Sequence, residues 1–203
     1  MAEDRVVLVG VDGSPESLGA VDWAVARAAR ENWRVHILCA YSLPSFTTAS
    51  LDGGYAALDD SAIRSGAQAV VSEAADRAQG KGVTVTNSLE TGDPAGVLVD
   101  LSDEAALTVV GTRGGGGFTD RLLGTVSSAL PAHAHCPTIV VPRHTEGADY
   151  TPVRRIVVGV DGSDSARKAL RWAVREADVW DAELTAIAAV PMASGAGALA
   201  WLP

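Results

Sequence analysis

The chain has 203 residues, of which 47% are hydrophobic and 20% charged, and its formal net charge is -9. This length suits one ordinary domain with part of a second, or two small domains, and the apolar content is enough for a buried core. The negative charge disfavours general binding to nucleic acid or to anionic membranes, because both are polyanions. The chain has no apolar run of about 18 residues and no signal-peptide pattern at MAEDRVVLVG, so we expect a cytoplasmic protein without a membrane span.

The chain begins with two short apolar runs separated by an amphipathic one. Residues 6–11 are rich in Val and too short for a helix, which predicts a strand buried on both faces. Ser14 and Pro15 then supply an N-cap and a first-turn residue for a helix that ends near Glu31. Residues 35–40 predict a second buried strand, which is followed by a polar loop at 42–58.

The same alternation of strand and helix continues to residue 142. A helix is predicted over residues 59–79, with an inner face of Ala62, Ala69, Val70, Ala74 and Ala78. The remaining elements are strands at 83–90, 107–111 and 137–142 and helices at 94–103 and 125–134. Strands that alternate with helices imply right-handed crossovers and a parallel sheet covered on both faces. We therefore expect an α/β domain over residues 1–142, with a doubly wound, five-stranded, Rossmann-like parallel sheet.

The beginning of the chain recurs near its end. Val-Gly-Val-Asp-Gly-Ser stands at 9–14 and again at 158–163, and Trp23 corresponds to Trp172 at the same spacing. Such a match indicates a duplicated domain. After a linker at 143–153, the second copy over 154–203 contains only a β-α-β pattern and no glycine loop. We expect either a truncated tandem protein or a natural partial repeat, with apolar surface exposed over 154–190 unless another segment or chain covers it.

Residues 111–124, which connect a predicted buried strand to the next predicted helix, include six glycines. In open α/β sheets, ligands bind beyond the carboxyl ends of the strands. A helix N-terminus offers N–H donors and partial positive charge, and glycines let backbone amides approach an anion. Thr125 and Ser127 add hydroxyl groups, and Asp12 at the end of the first strand can hold ribose hydroxyls or order a metal-bound phosphate. The alternatives are a plain βα connection and a helix-capping role for Asp12.

Several other kinds of site receive less support from the sequence. The P-loop pattern and the dinucleotide-binding fingerprint are missing, and no nucleophile motif is evident. His133, His135 and Cys136 form a weak metal-site pattern that lacks an evident fourth ligand. Cys39 and Cys136 predict buried thiols and not a disulfide. Loop arginines, Arg113 and Arg121 among them, either pair with phosphate or are solvated.

The glycine spacing has the form G-x2-G-x9-G-[ST], made by Gly111, Gly114, Gly124 and Thr125. Together with Val-Asp-Gly-Ser at 11–14 and HAHCPTIVVP at 133–142, it resembles the universal stress protein family, and the tandem arrangement is similar to its two-domain actinobacterial members. The resemblance implies ATP in the crevice, with Mg²⁺ bridging its phosphates. It places Gly10, Val11 and Asp12 on the adenosine side, Ala40 at the adenine, Val110 and Gly111 near the ribose, and Gly114, Gly124, Thr125, Val126 and Ser127 at the phosphates.

The function that the resemblance implies is an ATP-binding regulator of the stress response. Its expected partners are an adenine nucleotide and a second subunit, in a homodimer or an intramolecular pseudo-dimer. Three alternatives stay open: a weak ATPase, a dimeric scaffold with a vestigial site that associates through the sheet edge at Val140 and Val141, and a site for AMP or a cyclic nucleotide. No catalytic residue and no metal held by protein ligands alone is predicted.

Overall fold

Five short strands pair side by side, all parallel, in the order β3-β2-β1-β4-β5. In the computed structural model, which describes residues 5–42, 60–114, 123–143 and 150–189, the chain forms one unit up to Asp149 and another from Tyr150. The elements of the first unit are β1 (Val6–Gly10), α1 (Pro15–Glu31), β2 (Arg34–Tyr41), α2 (Asp60–Ala78), β3 (Val85–Thr91), α3 (Pro94–Leu101) with a 3₁₀ turn (Ser102–Glu104), β4 (Leu107–Gly111), α4 (Thr125–His133) and β5 (Thr138–Val141).

This architecture confirms the predicted fold class. The helices form two layers, since α1 packs against α2 and α3 packs against α4. Predicted and observed boundaries differ by one or two residues, as is usual at frayed ends. Most of the predicted loop at 42–58 lies outside the described residues, and the linker and domain boundaries stay predictions.

Helix α1 begins and ends where local chemistry predicts. The Ser14 hydroxyl accepts a hydrogen bond from the Ser17 amide at 3.2 Å, and Pro15 occupies the first turn. The helix ends at Asn32, which adopts the left-handed conformation with φ of 55°. The short polar side chain of Asn tolerates this conformation better than most others do. The cap at Ser14 therefore determines where the turn after β1 ends and α1 begins.

The buried face of α2 differs from the predicted one. Ala74 and Ala78 are buried as expected, but Ala62 and Ala69 are exposed, and Val71 and Ala75 are buried in their place. The predicted face was therefore wrong over the N-terminal half of the helix. An Ala-rich helix has little contrast between its faces, so packing against β2, β3 and α1 decides which side turns inward.

An ion-pair cluster ties α2 to α1. Asp22 accepts hydrogen bonds from Arg77 Nη2 at 2.6 Å and from Lys81 Nζ at 2.9 Å. Burial by itself would raise the pKa of the Asp22 carboxyl, but the hydrogen bonds and charges of the two basic groups outweigh it and hold the pKa below its usual 3.8. The cluster is partly exposed, so its contribution to stability is modest.

The second layer of helices packs over a small apolar cluster next to the carboxyl ends of the central strands. Its buried members are Leu8, Leu38, Leu98, Val110 and Leu130. They come from β1, β2, α3, β4 and α4, so elements far apart in sequence must meet before the cluster exists. Along the part of the chain that the structure describes, no helix is both long and apolar enough to cross a membrane.

The second unit reproduces the first β-α-β of the first unit. It contains β6 (Arg155–Gly159), α5 (Asp164–Trp180) and β7 (Glu183–Ile187), with β6 and β7 parallel. Ser163 caps α5 as Ser14 caps α1, and Asp181 ends it with φ of 54°. The duplication therefore holds for capping geometry as well as for sequence.

Three apolar side chains of the second unit are exposed, as expected. Val157, Val174 and Ile187 are 52–56% exposed. The corresponding side chains of the first unit, Leu8, Val25 and Leu38, are at most 3% exposed. In the first unit, Leu8 and Leu38 are covered by side chains from α3, β4 and α4, and these elements have no counterpart among the described residues of the second unit.

Candidate functional site

A cavity of about 340 Å³ opens at the carboxyl ends of β1 and β4. The chain runs from β1 outward through β2 to β3 and then crosses to β4 on the other side of β1. The crevice between β1 and β4 is thus the point where the strand order reverses, which is the usual ligand site of such sheets. Its volume falls in the range of small-molecule pockets.

The structure brings all eleven predicted site residues together around this cavity. They are Gly10, Val11, Asp12, Ala40, Val110, Gly111, Gly114, Gly124, Thr125, Val126 and Ser127. Six more described residues complete the lining: Ser17, Leu38, Pro94, Leu98, Arg113 and Leu123. Arg113 was one of two candidate arginines, and Arg121 lies outside the described residues. The cavity places these residues, and what each does toward a ligand stays a prediction.

The side chain of Asp12 is held across the start of the glycine loop. Its Oδ1 accepts hydrogen bonds from the Ser14 hydroxyl at 2.6 Å and from the Ser14 amide at 3.1 Å. Its Oδ2 lies against Gly114, so closely that a Cβ at that glycine would collide with it. Asp12 therefore orders the turn before α1, as the capping alternative requires, and also presents a carboxylate to the cavity.

Besides Gly114, two of the predicted glycines have packing reasons for being glycine. A Cβ at Gly111 would come within 2.7 Å of the carbonyl carbon of Glu16, in the first turn of α1. A Cβ at Gly10 would come within 2.8 Å of Leu98 Cδ1. Gly124 differs, because the nearest atoms to a Cβ there lie at 3.6 Å, an ordinary contact. Close packing among the described residues thus accounts for Gly10 and Gly111 but not for Gly124.

The two ends of the glycine loop are tied together at its base, which we define as Thr112 and Gly124. The Gly124 amide donates to the Thr112 carbonyl at 2.8 Å. The Ser127 hydroxyl donates to the same carbonyl at 2.7 Å and accepts from the Gly124 amide at 2.9 Å. Helix α4 starts directly after this base, with Gly124 as its N-cap. Its first N–H groups have no acceptor within the helix and carry partial positive charge beside the cavity.

The model of the universal stress protein family matches residues 5–142 and 152–200. The chain belongs to this family. A universal stress protein of Mycobacterium tuberculosis is 32% identical over 192 residues, which cover 89% of this chain and 62% of that protein. The chain thus spans about 62% of the length of that curated relative.

Solved universal stress proteins share the fold. One, crystallised in complex with cAMP, is 31% identical, with a TM-score of 0.52 over 69% of this chain and 98% of that one. Another, from Archaeoglobus fulgidus, is 19% identical, with a TM-score of 0.72 over 95% of this chain and 70% of that one.

Two of the remaining candidate residues of this universal stress protein, Cys136 and His135, take part in hydrogen bonds within the fold. Cys136 Sγ lies 3.2 Å from the Thr108 hydroxyl, and the His135 amide donates to the Ser102 hydroxyl at 2.8 Å. Burial raises the pKa of the Cys39 thiol, and the nearby Asp12 carboxylate raises it further. Over the described ranges, no three His, Cys, Asp or Glu side chains are grouped so as to hold a metal ion.

Proposed function

We propose that this universal stress protein binds ATP with Mg²⁺ in the cavity between β1 and β4 and acts as a nucleotide-dependent regulator of the stress response. One observation supports this most directly. The eleven residues that the resemblance to universal stress proteins assigns to the nucleotide line a single cavity, and the wall of that cavity includes the N-terminus of α4. A nucleotide is the ligand that needs both a cleft for its base and an anion site for its phosphates.

The adenosine end would lie on the apolar part of the lining. Leu38, Ala40 and Leu98 line the cavity on the β2 and α3 side, and Pro94 stands at the start of α3. The faces of a purine base are apolar, so burying them against these side chains is favourable. The ribose would lie between this region and the end of β4.

The phosphate end would lie at the glycine loop and the start of α4. The amides of Thr125 and Val126 belong to a helix terminus, where unpaired N–H groups and the helix dipole favour an anion, whereas the Gly124 amide is already donated within the loop base. The exposed Thr125 side chain adds a hydroxyl donor. These groups are neutral donors that carry only partial positive charge. A polyphosphate would therefore need a cation as well to neutralise its negative charge.

Mg²⁺ fits the lining because a carboxylate stands beside the proposed phosphate site. Asp12 is the one carboxylate among the described lining residues, and it would repel a bare polyphosphate. Mg²⁺ prefers oxygen ligands and is commonly held by one or two carboxylates together with substrate phosphates. Asp12, fixed by Ser14, would hold the ion, which when bound neutralises phosphate charge.

A cyclic nucleotide is the second candidate ligand, because the relative that is 31% identical was crystallised in complex with cAMP. Turnover is proposed to be slow at most. The described lining residues include no lysine, the residue that P-loop enzymes place on the transferring phosphoryl group.

Titration calorimetry with ATP·Mg²⁺, AMP, cAMP and GTP tests the proposal. We expect heat and a raised melting temperature with ATP·Mg²⁺ and neither with GTP. Gly114→Val should abolish binding, because its side chain would displace Asp12 or the loop. Gly66→Val, at an exposed position of α2 with nothing within 4 Å of the new Cβ, is the matched glycine control and should bind normally. Absence of heat with every nucleotide at millimolar concentration would refute the proposal, whereas cAMP binding without ATP binding would favour the second candidate.

The homodimer is proposed separately. Strand β5 is the edge of the sheet on the β4 side. Of the two residues predicted for the contact, Val141 is already buried, whereas Val140 is half-buried like its neighbour Ile139. Pairing of two such edges would cover them. Sedimentation equilibrium with and without ATP tests this, and a monomer at every concentration would rule it out.

A further inference from the structure

Ser127 holds the base of the glycine loop from inside the fold. Its side chain is 2% exposed, and its hydroxyl bonds to both Thr112 and Gly124. We propose that Ser127 is a positioning residue: the phosphate affinity of the site depends on it through the loop base and not through contact with a phosphate. This inference rests on the proposed function.

The hydrogen-bond inventory of a hydroxyl supports this assignment. A Ser hydroxyl has one proton and two lone pairs. The Thr112 carbonyl lies at 2.7 Å, nearer than the Gly124 carbonyl at 3.2 Å, so the proton belongs to Thr112. One lone pair accepts from the Gly124 amide. The second lone pair of the Ser127 hydroxyl oxygen remains, and a lone pair repels a phosphate oxygen. Ser127 thus has no proton to offer to a ligand in this arrangement.

Thr112 is the point where the positioning acts. Its carbonyl receives two donors, the Ser127 hydroxyl and the Gly124 amide, so the orientation of the peptide group between Thr112 and Arg113 is fixed. In a planar trans peptide, the following N–H points opposite to the carbonyl. The carbonyl oxygen is therefore engaged by the Ser127 hydroxyl and the Gly124 amide, which reduces its repulsion of an anion at the start of α4, and the Arg113 N–H points the opposite way.

A second hydroxyl restrains the next peptide group. The Ser14 hydroxyl lies 3.3 Å from the Arg113 carbonyl, although its shorter bond goes to Asp12. Two successive carbonyls at the start of the glycine loop are thus approached by hydroxyl groups from the first turns of α1 and α4. The Ser127 contact is the shorter of the two, so its removal should affect the loop more.

Three variants and two measurements test the proposal. Ser127→Ala removes the tie, Ser127→Thr keeps the hydroxyl, and Ser128→Ala removes a hydroxyl from the next, exposed position of the same helix. The first measurement is the affinity for ATP·Mg²⁺ and for adenosine. The second is the amide exchange rate of Gly124 by NMR in the ligand-free protein, which a phosphate contact would not affect.

We expect Ser127→Ala to weaken ATP binding about tenfold, the usual worth of a buried hydrogen bond, and to leave adenosine binding within about twofold. The Gly124 amide should exchange faster. Ser127→Thr should restore both properties, and Ser128→Ala should change neither. If Ser127→Ala does not fold, Ser127→Cys replaces it, because a thiol is a weaker donor than a hydroxyl. This variant should also lose affinity for ATP selectively, but by a smaller factor.

Each contrary result identifies a different failure. Weaker ATP binding without faster exchange at Gly124 would mean that Ser127 contacts the phosphate directly. An equal loss of ATP and adenosine affinity would mean a general structural role. Unchanged ATP binding in Ser127→Ala would overturn the positioning role while the proposed function stands. A wild-type protein that binds no nucleotide would overturn both.

Discussion

Replacing Gly111 by alanine tests how closely β4 approaches α1. The new Cβ would lie 2.7, 2.8 and 2.9 Å from three atoms of Glu16, of which two belong to the backbone. Carbon atoms pack best at about 3.5–4.0 Å, so one element must shift by about 0.8 Å. The obstacle is the first turn of a helix that Ser14 caps, and it cannot rotate away as a side chain can.

The expected loss of stability follows from these distances. Overpacking of this kind lowers the free energy of unfolding by about 1–3 kcal/mol. Replacing Gly by Ala also raises it by about 0.4–1 kcal/mol, because Ala restricts the unfolded chain. From the middle of these two ranges, we expect the free energy of unfolding to fall by about 1–2 kcal/mol. For a chain of this size, that lowers the melting temperature by about 2–8 °C.

The assay must report on the first unit alone, because two units need not unfold together. Hydrogen exchange of peptides from β1 and β4, followed over a urea series, meets this need. Gly66→Ala serves as control, since its Cβ meets nothing within 4 Å and should stabilise α2 by about 0.5–1 kcal/mol. A Gly111→Ala protein as stable as wild type would show that the α1–β4 contact is not tight and would refute the packing explanation of this glycine.

Three further results are expected. Asp22→Asn should lower the free energy of unfolding by less than about 1 kcal/mol at neutral pH. Because the pKa of Asp22 in the folded protein lies below 3.8, the difference between the two proteins should shrink as the pH falls through that folded pKa. Melting curves that differ by the same amount at every pH would contradict this. Leu38→Ala should lower the free energy of unfolding by about 2–5 kcal/mol, and its counterpart Ile187→Ala by about 1 kcal/mol or less, because the first side chain is 1% exposed and the second 52%. Equal losses of stability in denaturant unfolding would argue against the exposed face of the second unit. Cys39 should react with iodoacetamide more slowly than free cysteine because burial and a nearby carboxylate raise its pKa, and peptide mass spectrometry showing the free rate would contradict this.

Local signals account for what could be predicted of the fold. Ser14 followed by Pro15 predicts a helix start because capping is a matter of a few neighbouring atoms, and the structure has α1 beginning there. Short Val-rich runs predict buried strands because β-branched residues suit a pleated surface. The second unit could be predicted from the first, since the same sequence reproduces the same caps. The predicted buried face of α2 was wrong because helical period alone cannot orient a helix in which small Ala residues lie on every side.

The site was partly predictable for a topological reason. Parallel strands end at one edge of the sheet, so residues placed after β1, β2 and β4 had to converge there once the fold class was right. Pro94 and Leu98 were missed because α3 reaches the cavity only after the crossover from β3 to β4 folds it over the sheet. The chain has no local pattern that ties these two positions to Asp12.

The sequence by itself determined the order of strands and helices along the chain and the duplication, because period and caps are properties of neighbouring residues, and its resemblance to universal stress proteins supplied the eleven residues around the crevice. Only the tertiary structure decided that Gly10 and Gly111 are glycines for packing and that the Ser127 hydroxyl faces the loop base. Such facts depend on atoms brought together from distant parts of the chain, such as Gly111 and Glu16, whose closeness has no trace in the sequence.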